Sequence, residues 1–300
     1  MLITEEVLEK LKRAGDIAKK VVKYVESITK PGVKVLDLAT NIENYIRSLG
    51  GEPAFPVNIG INWVAAHYTP TLTDESVIPD GSLVKVDIGV HVDGYIADTA
   101  ITICFNPIYE ALVEATKKAV EKAIEVLRPD VKVAEIGKVI EDVIRSYGFK
   151  SIKNLSGHGL DRYVIHSGVI IPNFYDRFNT AKLRDGVYAI EPFATNGAGL
   201  VVESDQVTIY ALKTISKRLT GNALAVYEKI YRERQGLPFT TRWYVNTPVD
   251  VELFEKALVE LKKQKVLVEY PVLVEKKRGM VSQFEHTVVI AGRDVIVTTS

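Results

Sequence analysis

The chain has a single cysteine, Cys104, in 300 residues. That excludes internal disulfides and thiolate metal clusters, and it suits a reducing, intracellular setting. It has no excess of either charge: Lys plus Arg and Asp plus Glu both number 38, so no global field draws it to nucleic acid or to a membrane surface. No apolar run approaches the roughly 18 residues of a membrane span, and the N-terminal MLITEEVLEKLKRAG is amphipathic and charged. A cytoplasmic protein without signal or anchor is expected. A Gly-rich phosphate loop, an HExxH pair and a Gly-x-Ser-x-Gly elbow are also missing, which removes three common routes to hydrolysis.

What is present is an ordinary globular composition, 47% hydrophobic and 25% charged, long enough for one large domain or two modest ones. Leu8, Leu11, Ala14, Ile17, Val21, Val25 and Ile28 recur at steps of three and four, predicting a helix over 4–28 that Lys30-Pro31-Gly32 stops. A second helix is expected over 35–49, then strands over 81–92 and 95–105 joined at Asp93-Gly94, a hairpin dipeptide. Asn106-Pro107 opens a long helix to about residue 127, and another covers 134–147. Short strands follow to about residue 210. They carry a faint echo: Asp80-Gly81 precedes a strand ending in Asp87, and Asp185-Gly186 precedes one ending in Glu191. Residues 213–270 change character, with helical periodicity over 223–234 and 251–264 and dense Lys and Glu. Tyr270-Pro271 closes this segment, and strand character resumes at about Val281. The organisation expected is α+β, a main domain of 1–212 and 271–300 interrupted by a small helical insertion at 213–270.

Five residues stand out within or beside apolar, strand-like runs: Asp87 in LVKVDIGV, Asp98 in GYIADTAITI, His158 in LSGHGL, Glu191 in VYAIEPF and Glu285 in VSQFEHTVVI. A carboxylate buried in such a run is costly unless a cation or a hydrogen-bond network satisfies it. With the turn at Asp93-Gly94, Gly89 faces Asp98 and Asp87 faces Ala100, so the two aspartates are diagonal neighbours on one face. Four carboxylates and one imidazole suit hard-to-borderline divalent metals, and they exceed what one ion needs, which points to two. His158 is flanked by Gly157 and Gly159, which allow close backbone approach. His91 and His286 each neighbour a candidate ligand in sequence and are expected to point to the opposite face. His67 and His166 supply no obvious extra ligand but suit a substrate carbonyl or amine beside the metals.

AAHYTP around His67, VDIGVHVDGYIADTA, SGHGLDRYVIH, AIEPFAT and QFEHT, in that order, resemble the type II methionine aminopeptidases from about Phe55 to Val289. The helical block before QFEHT resembles their winged-helix-like insertion, and the short N-terminus suits the archaeal form. The resemblance implies a pita-bread fold of two pseudo-symmetric halves and two divalent ions, with Co, Mn, Fe or Zn left open. It implies that Asp98 and Glu285 bridge, that Asp87 serves one ion, and that His158 and Glu191 serve the other. Glu191 would also relay a water proton as general base and then acid, while His67 and His166 would position substrate and stabilise the tetrahedral intermediate. Phe55, Ile165 and Tyr270 fall where the family lines its methionine pocket. Ile209 departs from the pattern, standing where eukaryotic members carry a pocket histidine. The implied activity is removal of the first methionine from nascent polypeptides, with a small second residue preferred, by a monomer with the ribosome as a candidate partner. Two rivals remain: an X-Pro peptidase of the same fold, and a non-catalytic relative that binds ribosomes or RNA. The insertion and the AAHYTP motif oppose the first; the complete ligand set and zero net charge oppose the second.

Overall fold

The apolar stripe of the first segment forms helix α1 (Glu5–Ile28), whose Thr4 hydroxyl accepts the Val7 N–H at 3.3 Å and whose first turn carries Glu5 and Glu6. Helix α2 (Val35–Ser48) follows. The computed structural model describes residues 1–213, 219–245 and 248–300. Both helices lay their apolar faces on one side of the hairpin Leu83–Val92 and Tyr95–Cys104, where Val84, Val86, Ile88 and Val90 complete a shared core. Asp93 and Gly94 both take positive φ, 52° and 86°, the geometry of a two-residue hairpin turn. The expected register holds: Val92 pairs with Tyr95, Gly89 with Asp98 and Asp87 with Ala100.

The second half repeats the plan with more strands. A single 3-10 turn, Pro107–Tyr109, comes first where a continuous helix was expected, then α3 (Glu110–Glu125) and α4 (Val133–Ser146). They share a core with a five-stranded sheet in the order Asp294–Val297, His286–Ala291, Gly186–Ile190, Ser156–Asp161, Val164–Pro172. The two halves meet at an antiparallel bridge between Ala100 and Glu285. The two Asp-Gly turns are not equivalent in outcome. Glu191 directly follows its strand, whereas Asp87 lies inside a strand that continues to Val92.

Strand Val201–Leu212 pairs antiparallel with Leu267–Glu275, from Val201 opposite Glu275 to Leu212 opposite Leu267. Strand structure therefore resumes at Leu267 and runs through Tyr270-Pro271, correcting the expectation that this dipeptide closes the helical segment and that strands return only at about Val281. Pro271 cannot donate to a ladder, and it is tolerated here because the register shifts between Val207 and Ile209 beside it. Beyond the paired strands, α5 (Gly221–Arg234) and α6 (Pro248–Lys263) start slightly earlier than their periodicity suggests. They enclose a separate core of Tyr227, Ile230, Phe239, Phe254, Leu258 and Leu261. Residues 214–218 and 246–247 of the expected insertion lie outside the described residues.

A buried ion pair fastens this helical unit to α2. The Arg242 guanidinium reaches both oxygens of Glu43 at 2.5 Å, with side chains only 4% and 2% exposed. The Trp243 indole and the Val57 amide also donate to Glu43, at 2.8 and 3.1 Å. Removing one partner of a buried pair leaves the other charge unpaired, which costs far more than losing a surface pair. Arg242→Met should lower stability by about 3 kcal/mol, read from guanidinium unfolding midpoints. Lys256→Met, which breaks the exposed Lys256–Glu252 pair, should cost less than about 1 kcal/mol. Equal losses in the two variants would show that Arg242 is not the fastener.

Candidate metal centre and substrate cavity

Strand alternation aims the site. With Val84, Val86, Ile88 and Val90 committed to the helices, Asp87 must project from the other face, and pairing across the hairpin sends Asp98 the same way. Gly89 lies between them because a Cβ there would come within 2.3 Å of the Phe55 ring. From the second half, the Ser156–Asp161 strand supplies His158, the end of Gly186–Ile190 supplies Glu191, and Glu285 precedes His286–Ala291. A Cβ at Gly159 would lie 2.0 Å from the Ser167 carbonyl, so glycine is what permits the close strand approach beside His158.

These five side chains converge. Ligand atoms of Asp98, His158 and Glu285 all lie within 4.8 Å of one another. His158 Nε2 stands 3.2 Å from Glu191 Oε1 and 3.9 Å from Asp98 Oδ2, and Asp98 also feels the charges of Asp87 and Glu191. His158 Nδ1 faces the Gly159 carbonyl at 3.3 Å. A carbonyl only accepts, so Nδ1 carries the proton and the Nε2 lone pair points at the carboxylates, the tautomer a metal-ligating histidine adopts. Asp87 Oδ1, Asp98 Oδ1 and Glu285 Oε1 are buried without a hydrogen-bond partner. Burial, and then the charge of Glu191, push the Asp87 carboxyl up to about 8. Burial and the neighbouring carboxylates push Asp98 and Glu285 well above their ordinary range, and burial alone does so for Glu191. Orphaned oxygens, a lone pair and mutually repelling carboxylates are a donor set that fits divalent cations.

Backbone pins hold this geometry. The Thr287 hydroxyl accepts from the Asp98 amide at 2.7 Å and donates to the Asp98 carbonyl at 2.8 Å, and Thr99 Oγ1 donates to the Glu285 carbonyl at 2.8 Å. Gln283 Nε2 donates to Glu285 Oε2 at 3.3 Å. Sequence reading did not single out Gln283, Asn58 or these threonines. Gln283 lies two residues before Glu285, so strand parity was the available signal. Asn58 pairs with Asp87 across a neighbouring strand and lines the same cavity.

The cluster forms part of the lining of a cavity of about 510 Å³. His67, His166, Phe55, Ile165, Tyr270 and Ile209 line it as well. His67 holds a left-handed backbone, φ 65°, and its Nδ1 faces the Pro271 carbonyl at 3.2 Å. That partner again assigns the proton to Nδ1 and leaves Nε2 as an acceptor. Burial, helped by the charge of His166, lowers His67 to about 4, and burial lowers His166 to about 4, so both rings are neutral at pH 7. The Tyr270 ring meets His67 edge-on at 5.5 Å and lies 6.2 Å from His166, whose ring is 4.5 Å from that of His158.

Two other histidines fall outside the centre, one of them for a reason other than the one expected. His286 binds the Thr299 hydroxyl at 3.0 Å, away from Glu285. His91, however, is four residues from Asp87 and shares its strand face. It is kept out by distance along the strand, where its Nδ1 accepts the Gly94 amide at 3.1 Å and its ring packs on Tyr163.

Among the described residues no helix is long and apolar enough to cross a membrane. The chain is 45% identical over 298 residues to a methionine aminopeptidase of Saccharolobus solfataricus, covering 99% of each chain. It is 47% identical over 293 residues to one of Pyrococcus abyssi, covering 97% of this chain and 99% of that one. In fold it is similar to a thermophilic Arx1, with TM-score 0.86 at 19% identity over 99% of this chain and 91% of that one. The model of metallopeptidase family M24 matches residues 9–291. The paired helix-and-sheet halves are the α+β pita-bread fold of that family. The acid-and-histidine centre lies at their seam, and the chain belongs to metallopeptidase family M24.

Proposed function

We propose that this chain is a type II methionyl aminopeptidase, hydrolysing the first peptide bond of nascent polypeptides to release methionine. The observation that carries the reading is the cavity itself. Its lining combines carboxylates and a lone-pair imidazole with Phe55, Ile165 and Tyr270, so one cavity offers both ion-holding groups and an apolar surface for a side chain. The full-length similarity to archaeal methionine aminopeptidases supports the same conclusion. Residues 213–270 are the family's type II insertion, and the enzyme acts in the cytoplasm as a monomer on N-termini emerging from the ribosome.

Asp87, Asp98, His158, Glu191 and Glu285 would hold two divalent ions, Asp98 and Glu285 serving both. Such ions supply Lewis acidity, acidifying a water and polarising the scissile carbonyl. The donor atoms are all oxygen and nitrogen, which suits Co, Mn, Fe or Zn. Glu191 takes the proton from the attacking water and returns it to the leaving amine, a role suited to a carboxyl whose proton affinity burial has raised. His67, neutral with Nε2 free, accepts a substrate N–H and fixes the peptide's direction. His166, across Tyr270, contacts the same bond. Ile209, opposite Tyr270 in the strand pair, extends the apolar lining and favours an unbranched hydrophobic side chain.

The test of the reading is a paired assay on Met-Ala-Ser and Ala-Pro peptides with metal removed and restored. Metal-dependent release of methionine is expected, and cleavage of Ala-Pro alone would defeat it. Glu191→Ala should lower kcat by about a thousandfold while circular dichroism stays native; near-normal turnover would remove Glu191 as the base. His67→Ala should raise KM about tenfold, the worth of one hydrogen bond near 1.4 kcal/mol. Unchanged KM and kcat would take His67 out of the site.

Proton linkage gives a fourth check. Between the unfolded aspartate value of 3.8 and the folded value of about 8, the ion-free folded protein keeps a proton on Asp87 that the unfolded chain has lost. The folded state binds more protons, so its stability falls as pH rises through that window. Ions compete with those protons and bind more tightly at higher pH. The gap in Tm between manganese-loaded and chelator-treated protein should therefore widen from about pH 5.5 to about pH 8. A gap independent of pH would mean these carboxylates do not hold the metal.

A further inference from the structure

Arg234, the last residue of α5, is 6% exposed, and its hydrogen-bond partners are carbonyl oxygens. Its Nη2 lies 2.8 Å from the Pro53 carbonyl, 2.9 Å from that of Ala54 and 3.0 Å from that of Pro238. The guanidinium also stacks over the Trp243 ring at 4.9 Å. A buried cation held by neutral acceptors is an expensive arrangement, so what those acceptors carry is informative. Pro53 and Ala54 lead directly into Phe55, and Phe55 and Pro238 both line the cavity. The Ala54 amide donates to the Gly89 carbonyl at 2.9 Å, fixing the far side of the same segment. Leu237, bonded through its amide to the Arg234 carbonyl at 2.9 Å, packs in one cluster with Phe55 and Ile165. One nitrogen thus ties two walls of the cavity together, one from the main domain and one from the helical unit.

We propose that Arg234 is a positioning residue for substrate selection, setting the spacing of Phe55 from Pro238 and so the width of the pocket for the N-terminal side chain. This rests on the reading of the cavity as a methionine pocket. A narrow slot admits an unbranched chain and excludes branched ones; without Arg234 the two walls are no longer coupled. Because Arg234 touches neither the acidic centre nor its histidines, its loss acts on recognition rather than on the proton transfer.

The experiment compares the manganese-loaded full chain with its Arg234→Lys and Arg234→Met variants on Met-Ala-Ser, norleucine-Ala-Ser and Leu-Ala-Ser. For Arg234→Met, KM for Met-Ala-Ser should rise about tenfold with kcat within about threefold of wild type. The preference for Met over Leu in kcat/KM should narrow by about tenfold. Arg234→Lys, which keeps the charge and one contact, should fall between, and it carries the test alone should Arg234→Met not fold. In addition, Phe55→Ala should be less than additive with Arg234→Lys if the arginine acts through that ring. A folded Arg234→Lys with wild-type KM and wild-type preference overturns the proposal, as does an equal loss of kcat on all three peptides. Failure of the wild type to cleave Met-Ala-Ser would instead overturn the methionine reading on which the proposal stands.

Discussion

Like charges forced together at a seam are the constraint around which this fold is arranged. The two halves join through the Ala100–Glu285 bridge and the Thr287 hydroxyl on Asp98. Those are main-chain pins, so the carboxyls they bring along cannot drift apart to relieve repulsion. In a low-dielectric interior the repulsion is large, and protonation or a cation is the only relief. The helices follow from the same constraint. Each sheet turns its polar face to the seam, so the opposite face must be apolar and covered, by α1 and α2 on one half and by α3 and α4 on the other.

Much of the centre was legible from local rules. Asp93-Gly94 specifies a two-residue turn, the turn specifies the register, and the register places Asp87 and Asp98 on one face. The glycines beside His158 announced a close approach, and what approaches is the Ala189 carbonyl at Gly157 and the Ser167 carbonyl at Gly159. Parity also shows where reading by neighbourhood fails. His91 shares the face of Asp87, and only strand rise, about 13 Å over four residues, removes it from the centre. Tyr270-Pro271 was expected to close the helical segment. Pro271 instead occupies a register shift, and its carbonyl is the partner of His67.

What stayed hidden is long-range. Nothing near Arg234 or Arg242 in sequence indicates that their partners lie some 170 to 200 positions away, at Pro53, Ala54, Pro70 and Glu43. Both look like ordinary charges on a Lys- and Glu-rich helical segment, and both are buried. The difference between a solvated arginine and a buried fastener depends on which surface the helical unit meets, and periodicity carries no such information.

The two sides of the cavity therefore have separate supports. Asp87, Asp98 and Glu285 depend on the seam and its threonines. His67 depends on the Pro271 carbonyl and holds a left-handed backbone that costs on the order of 1 kcal/mol for a non-glycine residue. Pro271 belongs to the strand that returns from the helical unit and carries Tyr270, while Phe55 is braced by Arg234 from the end of α5. The acid-and-histidine cluster is thus built by the two halves, while Phe55, Tyr270 and His67 in the cavity lining are braced by the helical unit that interrupts the second half and by the strand that returns from it. A change in the helical unit can alter the lining around Phe55 and Tyr270 without moving the acidic cluster, whose residues lie on or beside strands of the two halves. Costly features stand on both sides of that division: orphaned, buried carboxylate oxygens in the cluster, and a buried arginine and a left-handed histidine behind the lining.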